Sequence, residues 1–317
     1  MTLRNLFFSI IASAVACLAL ASAAGATVPR AFVSTQGLDT NPCSALQPCR
    51  SFNQALTVVQ PAGEIIVQDS GGYSTGFTIT QSVTIDAGGF NASVLSTTAT
   101  DLCTINTAPT DRVVLRGISF HGAGVGTNAI NATQVGSLYI EHCSMSEFTL
   151  DGVMMAHGGS IWLTDTRMRK CFNGLVVRAS FATPANLVAH DCRFSECDNI
   201  GVFLVTSGTG AATGVMSNCT ASLGGAGFLV ESTAATNADL TLSNCRAFNN
   251  GSGILAQTTS TGSATIRIAN CAITQNIIGI NASSGGGTAS VIGTAPGTNL
   301  ISGNGTDGAT SGGVTLQ

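Results

Sequence analysis

A motif recurs about every 25 residues along much of this 317-residue chain, and such a period is typical of repeat architectures. Four segments share one motif, in which a short apolar stretch ends in a cysteine: 138–143, 187–192, 240–245 and 266–271. The column of equivalent positions recurs at nearly regular intervals and consists of Ile118, Cys143, Thr166, Cys192, Cys219, Cys245 and Cys271. The sequence therefore predicts a stack of equivalent coils.

Each repeat divides into three short segments in which every second residue is apolar, the pattern of a strand with one buried face. The first segment contains pairs such as Leu240 and Leu242, the second begins at the cysteine column, and the third follows a glycine such as Gly253. The corner between the first two segments suits residues that tolerate left-handed backbone angles. These corner residues are His142, Asp165, Asp191, Asn218, Asn244 and Asn270. The prediction is an all-β parallel β-helix with three short strands per coil of about 25 residues.

The motif I-x-N-C-x-(I/F), followed by N-x-x-x-G-I, resembles the repeats of single-stranded right-handed β-helices of the pectin-lyase-like superfamily. The resemblance extends over residues 64–305 and implies a right-handed coil. It implies little about activity, because such coils carry many unrelated functions. Pectate lyases that are similar bind calcium through carboxylates, and similar polygalacturonases carry N-T-D, D-D, H-G and R-I-K motifs. Only the H-G motif has matches, at His121-Gly122 and His157-Gly158, so the resemblance supports neither activity.

Residues 1–26 are predicted to be a secretory signal peptide. Arg4 precedes an apolar run over residues 6–21, and Ala24-Gly25-Ala26 matches the small-residue pattern of a cleavage site. The alternative, a single anchoring helix, is disfavoured by this pattern and by Pro29. No later segment is apolar over the roughly 18 residues that a membrane-spanning helix needs. We therefore expect export to the periplasm or the extracellular space, with no membrane span after cleavage.

Residues 27–63 are predicted to form an N-terminal cap, and residues 64–317 the β-helix itself. One face of a short helix near residues 51–59 is formed by Phe52, Ala55, Leu56 and Val59. Such a helix would cover the open end of the first coil, where apolar side chains and unpaired strand edges would otherwise meet water.

Ten of the 11 cysteines remain after signal cleavage, because Cys17 is removed. Cys43 and Cys49, each preceded by proline, are predicted to form a disulfide, which an exported protein can keep. The cysteines of the repeat column are predicted to stay reduced and buried, because thiols in a straight row cannot converge tetrahedrally on zinc. No metal site is expected, and a serine at Cys245 is expected to leave a hydroxyl with few partners. The pairing of three further cysteines stays open: Cys103, Cys171 and Cys197.

Charged side chains are concentrated in residues 141–198, which hold 12 of the 28 charged residues and three of the four histidines. Superposing the repeats places many of them on one face, and the candidate ligand-binding residues are Glu141, Asp165, Arg167, His190, Asp191 and Arg193. Stacked arginines beside carboxylates could hold an acidic polysaccharide through bidentate contacts. The alternative interpretation is an ordinary solvated face with weak ion pairs, and the lack of a catalytic motif favours it.

The balance of 12 basic and 16 acidic residues disfavours a nucleic-acid partner. The sequence contains no nucleotide fingerprint, phosphate loop or calcium loop, so no cofactor is expected and the catalytic residues are unknown. We interpret the protein as a secreted β-helix module, structural or glycan-contacting, that is not an enzyme. The alternative is a polysaccharide lyase or glycoside hydrolase that acts on an acidic polysaccharide. The sequence leaves the ligand and the oligomeric state open.

Overall fold

The protein is a parallel β-helix with three sheets along its length, as the repeat predicts. The computed structural model describes residues 27–180, 182–293 and 298–308, and the predicted signal peptide lies outside them. Within these residues the three sheets contain 11, 10 and 9 strands. Neighbouring strands within each sheet are parallel and come from consecutive coils. The predicted all-β class with three short strands per coil is therefore confirmed.

Each coil passes through the three sheets in a fixed order. Sheet 1 is formed by Val28–Val33, Val59–Val67, Val83–Asp86, Arg112–Arg116, Ser137–Glu141, Gly159–Thr164, Ala185–His190, Ala212–Ser217, Asn237–Ser243, Ser263–Ala269 and Thr288–Gly293. Sheet 2 is formed by Gly71–Ser74, Ala92–Leu95, Ile118–His121, Ser144–Ser146, Arg167–Arg169, Arg193–Ser195, Thr220–Ser222, Arg246–Phe248, Ala272–Thr274 and Leu300–Ser302. Sheet 3 is formed by Phe77–Ile79, Cys103–Asn106, Ile130–Gln134, Asp151–Met155, Asn173–Ala179, Ile200–Thr206, Ala226–Ser232, Ser252–Thr258 and Ile278–Ser284.

Apolar columns fill the interior because equivalent residues of consecutive coils pair in register. In sheet 1, for example, Leu240 pairs with Ile266 and Leu242 pairs with Ile268. These inward side chains are fully buried or nearly so. Burying a side chain of this size contributes about 1.5–3 kcal/mol relative to leaving it in water. The alternate residues of the same strands point outward, which is where any ligand must bind.

The corner between sheets 1 and 2 has the left-handed backbone that the polar residues predict. His142, Asp191 and Asn244 have φ values of 54°, 56° and 54°. A second left-handed column, between sheets 2 and 3, was not predicted; it consists of Glu147, Lys170, Glu196, Leu223, Asn249 and Gln275. Glutamate, lysine and leucine rarely adopt this conformation, so the residue types give no signal for it. The position is fixed by the turn that the coil must make there.

Side-chain hydrogen bonds support the second corner from inside. Asn276 Nδ2 donates to the backbone oxygen of Ala247 at 3.0 Å and to Asn304 Oδ1 at 3.0 Å. Asn250 Nδ2 donates in turn to Asn276 Oδ1 at 3.0 Å. The three asparagines therefore form a ladder that satisfies buried polar groups along the coil.

The cysteines of the repeat column are buried and free, as predicted. Burial raises the pKa of Cys143 to about 12, so this thiol stays protonated. Cys245 Sγ lies 3.3 Å from the backbone oxygen of Ser243 and 3.6 Å from that of Met216. The expectation that a hydroxyl finds few partners in this column is wrong. Thr166 stands in the same column, and its hydroxyl donates to two backbone oxygens, at 3.0 Å to Thr164 and 3.3 Å to Ile140.

The three cysteines whose pairing the sequence left open are also buried and free: Cys103, Cys171 and Cys197. Burial raises the pKa of Cys171 to about 11 and that of Cys197 to about 12. In the described part of the chain, the disulfide is the predicted one between Cys43 and Cys49, whose Cα atoms lie 4.6 Å apart.

The N-terminal segment covers the first coil with a helix and also with a strand. Helix α1 spans Phe52–Val58. Ser51 caps its N-terminus, because the Ser51 side chain accepts a hydrogen bond from the backbone nitrogen of Gln54. The Phe52 ring packs on Tyr73 and Phe77 at centroid distances of 5.4 and 5.2 Å. The strand Val28–Val33, inside the predicted cap, pairs with Val59–Val67 and so extends sheet 1. Within the described ranges no helix has the length and apolar character that crossing a membrane requires.

Asp69 connects this cap segment to the first coil. Its carboxylate accepts hydrogen bonds from Ser34 Oγ at 2.8 Å, from the Thr35 backbone nitrogen at 2.9 Å and from the Tyr73 hydroxyl. Burial alone would raise the pKa of Asp69, but these hydrogen bonds outweigh it and lower the pKa from 3.8 to about 2. The folded state therefore favours the ionised carboxylate.

We predict that Asp69→Asn lowers the melting temperature at pH 7 and flattens its acid dependence. Because the folded pKa of about 2 is below the unfolded value, the stabilisation is present above about pH 4 and is lost as the pH falls toward 2. Thermal melts of wild type and variant between pH 2 and 7 measure this difference. Asp198→Asn, at an exposed carboxylate, is the control and should leave the profile unchanged. Parallel acid profiles for wild type and Asp69→Asn would contradict the prediction.

We predict that Cys245→Ser costs less than about 1 kcal/mol in the free energy of unfolding, because the Ser243 and Met216 oxygens can accept from a hydroxyl. Cys245→Leu should cost about 1–3 kcal/mol, because it adds volume to a filled column. Urea unfolding of both variants compares the two effects. A larger loss for serine than for leucine would show that the backbone oxygens do not serve as acceptors.

Candidate functional site

The six residues proposed from the sequence lie at the outer corner between sheets 1 and 2. We call this surface the corner face and define it by Glu141, Asp165, Arg167, His190, Asp191 and Arg193. Arg167 and Arg193 begin consecutive strands of sheet 2 and are paired residues in the ladder. His190 ends a strand of sheet 1 and pairs with Thr164. The superposition of repeats thus placed these side chains correctly relative to one another.

Arg167 and Arg193 point outward as direct neighbours in a parallel ladder, where strands lie about 4.8 Å apart. Both residues are exposed. Within the described residues neither guanidinium makes a hydrogen bond or an ion pair. Like charges directly opposite each other in a sheet are destabilising. The corner face therefore carries two adjacent guanidinium groups that no carboxylate pairs with, although its three carboxylates outnumber its two arginines.

Histidines and carboxylates alternate beside the two arginines. His142 Nδ1 lies 3.1 Å from Asp165 Oδ2, and His190 Nε2 lies 2.9 Å from Asp191 Oδ2. His190 Nδ1 also lies 2.8 Å from Ser217 Oγ. All of these side chains face solvent, with His190 and Asp191 about half exposed at 49% and 51%. His142 and Ser217 were not among the six sequence candidates, because only side-chain geometry brings them into contact with those residues.

Glu141 forms its ion pair with a residue outside the six candidates, Arg116. Its Oε2 lies 2.6 Å from Arg116 Nε, and Arg116 Nη1 lies 3.4 Å from Asp86 Oδ2. The hydrogen bond with Glu141 is the main cause that raises the pKa of Arg116. This row of charges leads into a cleft of about 430 Å³ next to His142. Arg116 was missed because it lies N-terminal to the charge-rich segment of the sequence.

An exposed ion pair of the kind expected for a solvated face lies at the end of sheet 2 and joins Arg169 to Glu196. Arg169 Nε and Nη2 donate to the two carboxylate oxygens of Glu196 at 2.8 and 3.1 Å. The hydrogen bond from Arg169 is the main cause that lowers the pKa of Glu196. Both groups are exposed, so the pair adds little stability. Its consequence is that Arg169 is neutralised, whereas Arg167 two residues earlier is not.

A stack of aromatic rings on the outside of sheet 1 was also missed by the sequence analysis. The rings of Tyr139 and Trp162 lie 4.5 Å apart with an interplanar angle of 4°. The guanidinium of Arg112 covers the other face of Tyr139 at 4.3 Å. Val188 is the ladder neighbour of Trp162 on the far side. The Tyr139 ring therefore packs against both Trp162 and Arg112, and these contacts stabilise the outer surface of sheet 1. The signal in the sequence is that the two aromatic residues occupy equivalent positions one coil apart.

Two further carboxylates, Asp101 and Asp151, belong to a partly buried polar cluster at the start of sheet 3. Asp101 accepts hydrogen bonds from Asn128 and Asn131, each at 2.7 Å. Asp151 accepts one from Asn173 at 2.8 Å, and burial raises its pKa. These contacts hold the strand ends together and leave the carboxylates occupied. Among the described residues, no group of three or more histidine, cysteine, aspartate or glutamate side chains has the arrangement of a metal site.

Comparisons with known proteins agree with the fold. A family model described as right handed beta helix region matches residues 65–237. The structure is similar to a rhamnogalacturonan lyase, with a TM-score of 0.58, 13% identity and coverage of 91% of this chain and 89% of that chain. It is also similar to the pectate lyase Pel9A, with a TM-score of 0.57, 14% identity and coverage of 87% and 80%. No curated protein matches the sequence significantly.

We predict that Tyr139 and Trp162 are coupled in stability. A double-mutant cycle with Tyr139→Ala and Trp162→Ala should give a coupling energy of about 0.5–1.5 kcal/mol, the value expected for a stacked aromatic pair. Chemical unfolding of the four proteins measures it. Tyr139→Phe keeps the ring and is the control, so it should retain the coupling to Trp162. Additive effects of the two alanine substitutions would contradict the stacking.

Proposed function

This chain belongs to the right-handed β-helix family, whose model matches more than half of it, and we propose that it is an exported module that contacts an acidic polysaccharide through the corner face without cleaving it. The observation that carries the proposal is the pair of stacked, unpaired arginines, Arg167 and Arg193. A carboxylate placed between two such guanidinium groups relieves their mutual repulsion and gains charge-assisted hydrogen bonds. Arginine suits this task because its planar fork matches the two oxygens of a carboxylate.

Three arginines elsewhere on the surface differ from Arg167 and Arg193, because each of them pairs with a carboxylate. Arg30 pairs with Glu64 at 3.0 Å, and Arg267 pairs with Asp239 at 3.0 Å. Arg169 pairs with Glu196 as described above. Arg246, exposed in the same column of sheet 2, also makes no ion pair or hydrogen bond among the described residues, so Arg167 and Arg193 are distinguished by being adjacent to each other. The corner face instead keeps two adjacent cations available in a chain that has only 12 basic residues.

The ligand that fits this geometry best is a polymer with repeated acidic groups. Consecutive coils place equivalent side chains along one line parallel to the axis, so a chain molecule lying along this line meets Arg167 and Arg193 in turn. The pyranose rings of a polysaccharide can add hydrogen bonds to the polar corner residues. The contact is electrostatic and exposed, so its affinity should fall as the salt concentration rises.

A polysaccharide lyase or glycoside hydrolase is the second candidate, since two similar structures carry the names of lyases. At identities of 13–14% this likeness concerns the fold alone. Glycoside hydrolysis needs a pair of carboxylates that flank the scissile bond. At the corner face Asp165 and Asp191 are each engaged by a histidine, and Glu141 is engaged by Arg116. These contacts favour the non-cleaving module.

Export is consistent with the disulfide, the N-terminal apolar segment and the cap. The disulfide between Cys43 and Cys49 is compatible with an oxidising compartment. An N-terminal signal peptide over residues 1–26 would deliver the chain there. We propose that the cap of residues 27–63 then protects the first coil of the exported β-helix, residues 64–317.

We predict that the double variant Arg167→Ala, Arg193→Ala loses at least about tenfold in affinity for polygalacturonate, because two charge-assisted contacts disappear. Retention in gels containing polygalacturonate or neutral dextran measures the effect, together with a screen for released products. The control, Arg30→Ala with Arg267→Ala, removes the same charge elsewhere and should keep wild-type retention. If both double variants are retained equally, the corner face is an ordinary solvated surface. Released products from the wild type would favour the enzyme.

A further inference from the structure

The cleft of about 430 Å³ next to His142 has a lining that suits a ligand of its own. Asp86, Phe90, Asn91 and Arg116 also line it, and none of the six corner-face residues does. We propose that this cleft binds the ring of one neutral sugar. Such a site goes beyond the contact of the corner face with an acidic polymer and does not rest on that contact.

A long corner loop accounts for the cleft. The strands Val83–Asp86 and Ala92–Leu95 are joined by residues 87–91, whereas Gly117 alone joins the equivalent strands of the next coil. The two glycines of the loop have φ values of 54° and 89°, a left-handed backbone that glycine adopts without strain. Residues of this loop and residues of the next coil line the same space, so the difference in length between the two corners opens it.

Hydrogen bonds along sheet 2 leave one donor of the cleft unused. Ser144 Oγ donates to Ser119 Oγ at 3.0 Å, and Ser119 Oγ donates to Asn91 Oδ1 at 3.1 Å. The amide oxygen of Asn91 is therefore engaged, whereas its Nδ2 has no hydrogen-bond partner within the described residues. Nδ2 carries two hydrogens that can be donated to the hydroxyl oxygens of a sugar.

Asp86 supplies the matching acceptor. Its Oδ1 accepts a hydrogen bond from the backbone nitrogen of Gly88 at 2.7 Å, and its Oδ2 lies 3.4 Å from Arg116 Nη1. An ionised carboxylate has about four lone-pair sites, so Asp86 can still accept from hydroxyl groups. A sugar ring carries several hydroxyls that each donate and accept, which fits a cleft lined by both kinds of partner.

The charges around the cleft favour a neutral ligand over an acidic one. Arg116 already pairs with two carboxylates, Glu141 at 2.6 Å and Asp86 at 3.4 Å. His142 Nδ1 lies 3.1 Å from Asp165 Oδ2, so this histidine also has a carboxylate beside it. A ligand carboxylate would therefore meet no unpaired cation here, in contrast to the corner face.

Phe90 supplies the apolar surface that a sugar ring needs. It belongs to the corner loop, lines the cleft and is 42% exposed. Small-molecule sites combine apolar and aromatic lining with a few polar groups that fix orientation, in clefts of about 300–1,000 Å³. The C–H face of a pyranose ring can pack on the phenyl ring while its hydroxyls reach the polar groups of the lining.

The test measures binding of methyl glycosides of galactose, mannose, rhamnose and xylose to the full chain by saturation-transfer NMR. We expect at least one glycoside to receive saturation at its ring protons, and its affinity to be the same at low and high salt because no ion pair forms. Phe90→Ala should weaken this binding roughly threefold or more, because apolar contact area is lost. Asn91→Asp, which keeps an acceptor for Ser119 but removes the free donor, should weaken it as well.

Phe172→Ala is the matched control, since Phe172 is 43% exposed and lies outside the cleft. It should bind the glycoside as the wild type does, and so should the double variant Arg167→Ala, Arg193→Ala. Binding of no glycoside by the wild type, or equal affinities of Phe90→Ala and Phe172→Ala, would overturn the inference. Polygalacturonate retention without glycoside binding overturns only this inference, whereas glycoside binding without polygalacturonate retention overturns only the proposed function.

Discussion

The backbone hydrogen bonds between consecutive coils are the interaction on which the rest of the structure depends. Each strand pairs in parallel with the equivalent strand of the next coil, so residues one full repeat apart in the chain become direct neighbours. Every outward or inward position is thereby repeated as a column with a spacing of about 4.8 Å. A side chain must therefore pack well against the residues at the equivalent positions of the two neighbouring coils, as well as against residues of its own coil.

This constraint explains the three kinds of column that the protein contains. Apolar columns fill the interior and are stabilised because equivalent apolar side chains of consecutive coils pack against each other. Small polarizable or hydroxyl side chains, as in Cys245 and Thr166, fit beside backbone oxygens that the coil exposes inside. Charged columns are the exception, because identical charges repel when stacked. The pairing of Arg167 with Arg193 is therefore the feature of the outer surface that most needs a functional explanation.

The fold and part of the site could be predicted from the sequence because period and alternation are local properties of the chain. The register of Arg167 with Arg193, the left-handed corner at His142 and the disulfide between Cys43 and Cys49 all follow from spacing and residue type. The contacts of Glu141 did not follow. Its carboxylate could have turned toward either neighbouring coil, and the choice of Arg116 depends on the position of a side chain one coil earlier.

Period, alternation and residue type in the sequence define the coil, its three strands, its apolar columns and the face on which charged residues accumulate. Which side chains of that face contact one another is visible only in the folded structure. Three features depend on backbone turns and on side-chain rotamers between coils: the left-handed turn at Glu147 and Lys170, the ring stack of Tyr139 and Trp162, and the contact of His190 with Ser217. The physical reason is that periodicity fixes Cα positions to the nearest column, whereas hydrogen bonds and ring contacts are decided within a few tenths of an ångström by torsions that no spacing records.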